Sequence, residues 1–154
     1  MITRAWARHA EGSPRSIGYP AGITRRLGAL LYDSILIGLG IWGSTLLLFV
    51  IANGGEAVPP PLVQVVLPIE WIGFYAYFWH RNGQTLGMKS WRITLVDEAG
   101  ALPSWRQIAI RIGVAPISLV CAGLGFVWLY VGDRQQTWHD RASGTYVVHT
   151  PKAD

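Results

Sequence analysis

The chain has 154 residues, about one domain, with 51% hydrophobic and only 14% charged residues, too few charges for an ordinary soluble mix. Its net charge is +4, but the basic residues flank apolar runs and form no patch interleaved with aromatics, which argues against nucleic acid. The single cysteine, Cys121, excludes an intramolecular disulfide, and these numbers together fit a small polytopic membrane protein.

Residues 1–22 hold Gly12, Gly18, Gly22, Pro14 and Pro20 with Arg4, Arg8 and Arg15, and read as an irregular basic arm, not a signal peptide. Thr24 is the expected N-cap of a first helix over 24–51. From Tyr32 to Ile51 this helix is apolar apart from Asp33, and at ~1.5 Å per residue it spans a ~30 Å hydrocarbon core. Arg26 and Asp33 lie seven residues apart, so they share a face ~10.5 Å apart along the axis. Gly40 and Ser44 continue that stripe, with Gly43 beside it, and small residues let another helix approach. Asp33 is therefore expected inside the bundle, where ionisable groups serve function by default. The plainer alternatives are that Arg26 anchors to phosphate groups and that Asp33 snorkels to the interface.

A loop without Lys or Arg, bounded by Asn53-Gly54-Gly55 and Pro59-Pro60-Pro61, leads to a second span over 62–79. Glu70 stands at its middle, where a charge costs ~3 kcal/mol, so protonation is its natural escape. It reads either as a proton relay or as a carboxyl hydrogen-bonded across helices. Trp91 to Val96 alternates at period two and predicts a strand near 91–96, in a hairpin closed by Ala101-Leu102. Ser104 is placed to cap a third helical segment over 104–131, which opens amphipathic with Arg106 and Arg111. Gly113, Pro116, Gly123 and Gly125 interrupt it. Tyr146-Val147-Val148 predicts a last strand near 145–149, and 151–154 is a tail.

Lys and Arg number five before the first span, none in 52–61, five from Arg81 to Arg111 and three beyond Val131. The positive-inside rule then places the N-terminus and the 81–110 segment in the cytoplasm. A single crossing by 112–131 would strand the last β segment outside without a partner, so a broken, re-entrant helix is preferred to an ordinary kinked span. The expected fold is thus all-α and membrane-embedded: two transmembrane helices, a third broken or kinked one, and a small cytoplasmic β element.

Three blocks carry a resemblance. They are Arg26-Leu27-Gly28-Ala29-Leu30-Leu31-Tyr32-Asp33, then Gly83-Gln84-Thr85-Leu86-Gly87-Met88-Lys89 leading to Ile93, then Gln136-Thr137-Trp138-His139-Asp140-Arg141-Ala142-Ser143-Gly144-Thr145. In order and spacing they resemble the RDD family, small bacterial membrane proteins named for one arginine and two aspartates. The resemblance covers 22–148, makes 23–150 the membrane domain, and assigns those three residues to Arg26, Asp33 and Asp140. It implies a bacterial inner-membrane, multi-pass protein, and some members resemble monovalent-cation/proton antiporters. Glu70 belongs to no block.

Enzyme chemistry finds little support. No nucleophile is spaced to suit His139-Asp140, the four histidines lack metal-ligand spacing, and a GxxxxGK[ST] loop is absent, so no metal or cofactor is expected. One functional reading is a homo-oligomeric carrier for Na+, K+ or H+. In it Asp33 and Asp140 bind the ion, Arg26 competes as counter-ion and Glu70 relays protons, supported by Arg111, His139, Arg141, Gln84 and Thr85. The other is an accessory protein that binds a membrane partner or lipid, with the same charges acting only as a clamp.

Overall fold

The structure is a computed structural model that describes residues 20–120 and 136–149. Helix runs unbroken from Ile23 to Ala52. It comprises α1 (Ile23–Leu36), a π-helical stretch (Ile37–Trp42) and α2 (Gly43–Ala52). Gly22, not Thr24, is the residue at its N-cap; Gly22 is extended and no side chain caps the helix, so Thr24 lies within the first turn. The helix ends where Gly54 and Gly55 take positive φ and their N–H groups turn back to the carbonyls of Ile51 and Val50.

The second long helix, α3 (Pro60–Asn82), begins with proline, whose missing N–H costs nothing in a first turn. Both long helices extend past the expected bounds of 24–51 and 62–79. Gly83 ends α3 at φ 68°, and a Cβ there would meet the Leu95 carbonyl oxygen at 2.7 Å. A short helix, α4 (Leu86–Ser90), follows under the Thr85 cap, whose Oγ1 accepts from the Met88 N–H.

Strand β1 is Ile93–Asp97. It starts two residues later than expected, because Trp91 and Arg92 form a turn in which Arg92 takes φ 54°. Ala101 only closes the following turn by accepting from the Asp97 N–H, so the anticipated hairpin does not form. The partner of β1 is β2 (Thr145–His149), antiparallel, in register from Ile93 opposite His149 to Asp97 opposite Thr145. Pro20 bridges to Val148, and Ala21 N–H donates to the Val147 carbonyl at 2.8 Å.

Helix α5 (Trp105–Val120) opens as expected at Ser104, whose Oγ accepts from the Gln107 N–H while the Gln107 side chain accepts from the Ser104 N–H. It is continuous through Gly113 and Pro116; the Gly123 and Gly125 breakers and the path of 121–135 lie outside the described residues. Helix α6 (Trp138–Ser143) is held by a capping box between Thr137 and Asp140 and ends at Gly144, φ 63°.

Ala21, Ala29, Met88, Ile93, Leu95 and Val147 form the core, with Trp79 against it. That core lies where the first turns of α1 meet α4 and the sheet. The apolar stretches of the long helices stay almost wholly uncovered: Leu39, Leu47, Leu48, Ile51, Val65 and Ile69 are all exposed. The small-residue stripe is also outward, with Gly40, Gly43 and Ser44 exposed. The face turned inward runs instead through Ile37, Trp42 and Thr45: Ile37 is buried, and the other two bond α3. The wider π turn resets which residues meet α3, and a uniform 3.6-residue count does not carry across it.

Candidate functional site: two buried clusters on one helix face

Arg26 and Asp33 do share a face of α1, and both are buried. They serve different partners. The Arg26 guanidinium donates to the Ala21 carbonyl through Nε at 3.0 Å and to Asp140 Oδ2 through Nη1. Arg111, on the first half of α5, donates through Nη1 to Asp140 Oδ1 and to Thr145 Oγ1 at 2.9 Å. Asp140, 0% exposed, is thereby clasped by two guanidiniums from two helices. The capping box adds the Thr137 N–H to Oδ2, so one carboxylate both starts α6 and ties it to α1 and α5. Burial alone would push the Asp140 carboxyl up; the Arg111 and Arg26 charges outweigh it and hold the group well below the usual carboxylate range. His139 lies alongside, with Nε2 3.0 Å from Thr137 Oγ1. Burial first, then the Arg111 charge, lowers its pKa to about 3, so it is a neutral imidazole at neutral pH.

Asp33, 1% exposed, forms the second cluster. Its Oδ2 accepts from Thr85 Oγ1 at 2.5 Å and its Oδ1 from the Gly87 N–H at 2.8 Å. Gly87 is required by this approach: a Cβ would collide with the Ala29 carbonyl oxygen and with the Asp33 carboxylate. Among the described residues no cation pairs with Asp33. The arginine cluster thus holds two guanidiniums against one carboxylate, and the Asp33 cluster holds a carboxylate against neutral donors. Trp79 and Met88 lie between them. Trp79 Nε1 donates to Met88 Sδ at 3.3 Å, and the Arg111 guanidinium sits 5.2 Å from the centre of the Trp79 ring.

The remaining expected residues are dispersed. Glu70 stands apart from both clusters and accepts from Thr45 Oγ1 at 2.5 Å, a bond between the two long helices. One turn away Trp42 Nε1 donates to the Leu67 carbonyl at 3.2 Å, beside Pro68. Gln84 donates to the Ile93 carbonyl and to Thr94 Oγ1, bracing β1. Arg141 is exposed. Among the described residues no group of three or more His, Cys, Asp or Glu could hold a metal ion. The sequence reading missed Thr45, Thr137 and Thr145 as partners; the only local sign was the Thr137-x-x-Asp140 spacing of a capping box.

These features define a helical protein with two apolar, outward-facing helices long enough to cross a bilayer and a polar end organised by buried arginine–aspartate bonds. The family model of the RDD family matches residues 20–144, and the chain belongs to that family. Arg26, Asp33 and Asp140, the three residues at the centre of the two clusters, all fall within the match. No curated protein and no solved structure matches the chain.

Proposed function

We propose that the chain is a multi-pass protein of the bacterial inner membrane, N-terminus cytoplasmic, whose homo-oligomer carries Na+ or K+ in exchange for H+ with Asp33 as the exchanging group. The observation that carries this is the Asp33 carboxylate itself. It is buried at one end of an apolar helix, held by one hydroxyl and one amide N–H, and faces no counter-cation among the described residues. An ionised carboxylate so placed is costly, and a bound proton or monovalent cation relieves the cost. Asp140 is satisfied by two arginines, so its part is to fix the helix ends, and Arg26 acts through it and not as a competitor at Asp33. Glu70, bonded to Thr45 between the long helices, is the next carboxyl along the proton's path. Two long helices enclose no pathway, so a second copy is needed; the exposed Gly40, Gly43 and Ser44 offer a close approach. No covalent chemistry is part of this reading.

The test is cation flux driven by a pH gradient in proteoliposomes. Wild type should exchange Na+ or K+ for H+, and Asp33→Asn should abolish exchange while eluting and unfolding like wild type. Absence of flux from wild type would sink the reading. A second reading, an accessory protein that binds a membrane partner, is favoured by the saturation of Asp140, which suits a rigid clamp. It requires no flux together with co-purification of that partner.

A further inference from the structure

A second polar patch lies on a different face of α1, away from both clusters. Arg25 is exposed and donates through Nη1 to the Trp91 carbonyl at 3.3 Å. The Trp91 indole lies over α1 at Gly28, so close that a Cβ there would enter the ring. Arg92 follows, held in the left-handed conformation at φ 54°, with its side chain exposed and in no hydrogen bond among the described residues. The register sets His149 opposite Ile93, next to Arg92. Arg25, bonded to the Trp91 carbonyl, and Arg92, the next residue, thus lie at the same end of the sheet as His149, whose imidazolium form is disfavoured by slight burial first and then by the Arg25 and Arg92 charges. Lys89, also exposed, accepts through its carbonyl from the Arg92 N–H. Among the described residues no carboxylate pairs with Arg25, Lys89 or Arg92.

The apolar surface begins directly above this patch. Tyr32 and Ile35 are exposed large side chains about two and three turns beyond Arg25, and Leu39, exposed too, lies further along in the π-helical stretch. Trp91 sits between the positive and the apolar zones, where an indole is at home in a bilayer interface. We propose that Arg25, Arg92 and His149 form a headgroup site for an anionic phospholipid of the inner leaflet. The lipid phosphate lies between the two guanidiniums, Trp91 marks the glycerol level, and an acyl chain lies along Tyr32, Ile35 and Leu39. This rests on the long helices being membrane spans but not on transport, so loss of the flux reading leaves it standing.

The experiment is native mass spectrometry of the full chain released from detergent with added phosphatidylglycerol or phosphatidylcholine. The variants are Arg25→Gln, Arg92→Asn and the pair. Asn tolerates the left-handed backbone, so Arg92→Asn removes the charge without disturbing the turn. Wild type should retain phosphatidylglycerol in preference to phosphatidylcholine, with retention falling roughly fivefold for each arginine removed. Arg81→Gln and Arg106→Gln, exposed elsewhere, should bind as wild type does. If Arg25→Gln fails to fold, Arg92→Asn alone decides. Equal retention of both lipids, equal loss in the control variants, or displacement of the lipid by inorganic phosphate would each overturn the proposal.

Discussion

A carboxylate that two buried guanidiniums share is harder to replace than either arginine, because its loss leaves both charges uncompensated. Asp140→Asn should therefore lower the stability of the purified protein by about 3–5 kcal/mol, read as a large fall in its denaturation midpoint in detergent. His139 sets the response to acid. Folded, it resists a proton until about pH 3, while its ordinary value is 6.5. Below 6.5 the unfolded chain takes up a proton that the fold refuses, so stability falls as pH drops, by about 1.4 kcal/mol per unit. Asp140, held below the usual carboxylate range, adds loss in the same direction at still lower pH. The midpoint should decline between about pH 7 and about pH 5, and His139→Gln should flatten that decline; an unchanged slope would refute the assignment. Arg26, Asp33 and Arg111 were legible in the sequence, because charge inside or beside an apolar run has to be accounted for, whereas Asp140 and Thr85 were marked by the blocks that carry the family resemblance. That they form two clusters was not. The partner of Asp33 lies 52 residues away and that of Arg26 lies 114 away, and residue spacing along α1 says nothing about which distant loop meets which turn.

Short elements carry the contacts between long ones. Helices α4 and α6 have five and six residues, too few to show a helical period, so neither was legible as a helix. Their caps, Thr85 and Thr137, were the sole local sign of them. The α1–α4 approach depends on Gly87, because the atoms a side chain would strike include backbone that cannot move aside. Gly87→Ala should cost about 1–3 kcal/mol and remove Asp33 function with it, measurable as a lowered midpoint beside lost flux. The two long helices meet differently, through Thr45 and Glu70. Glu70→Gln keeps a carbonyl acceptor for the Thr45 hydroxyl and should leave stability near wild type, whereas Thr45→Val should lower it by about 1 kcal/mol. The long helices were legible from length and apolarity alone. The π turn between α1 and α2 was not, and it put the glycine stripe on the outside.

At the scale of the molecule, the β1–β2 pairing decides which end of the helices the last strand occupies. Both strands lie with α4 and the start of α5, so the last strand sits at the same end of the long helices as the first turns of α1. In cells, after Cys121→Ala, a cysteine at Glu56 should react with an impermeant reagent from outside, while cysteines at Glu98 and His149 should be protected together. Labelling of position 149 but not 98 would contradict the shared side. The same pairing bears on synthesis. The N-terminal helix emerges from the ribosome with Arg26 and Asp33 already in place, but their partners arrive 114 and 52 residues later. Until Thr85 and Gly87 appear, and then Asp140, the polar face of α1 lacks its partners, and the first helix is oriented through the Trp42 and Thr45 bonds to α3. Maturation therefore has a built-in final latch: a chain cut short before Asp140 leaves Arg26 and Arg111 without the carboxylate they share.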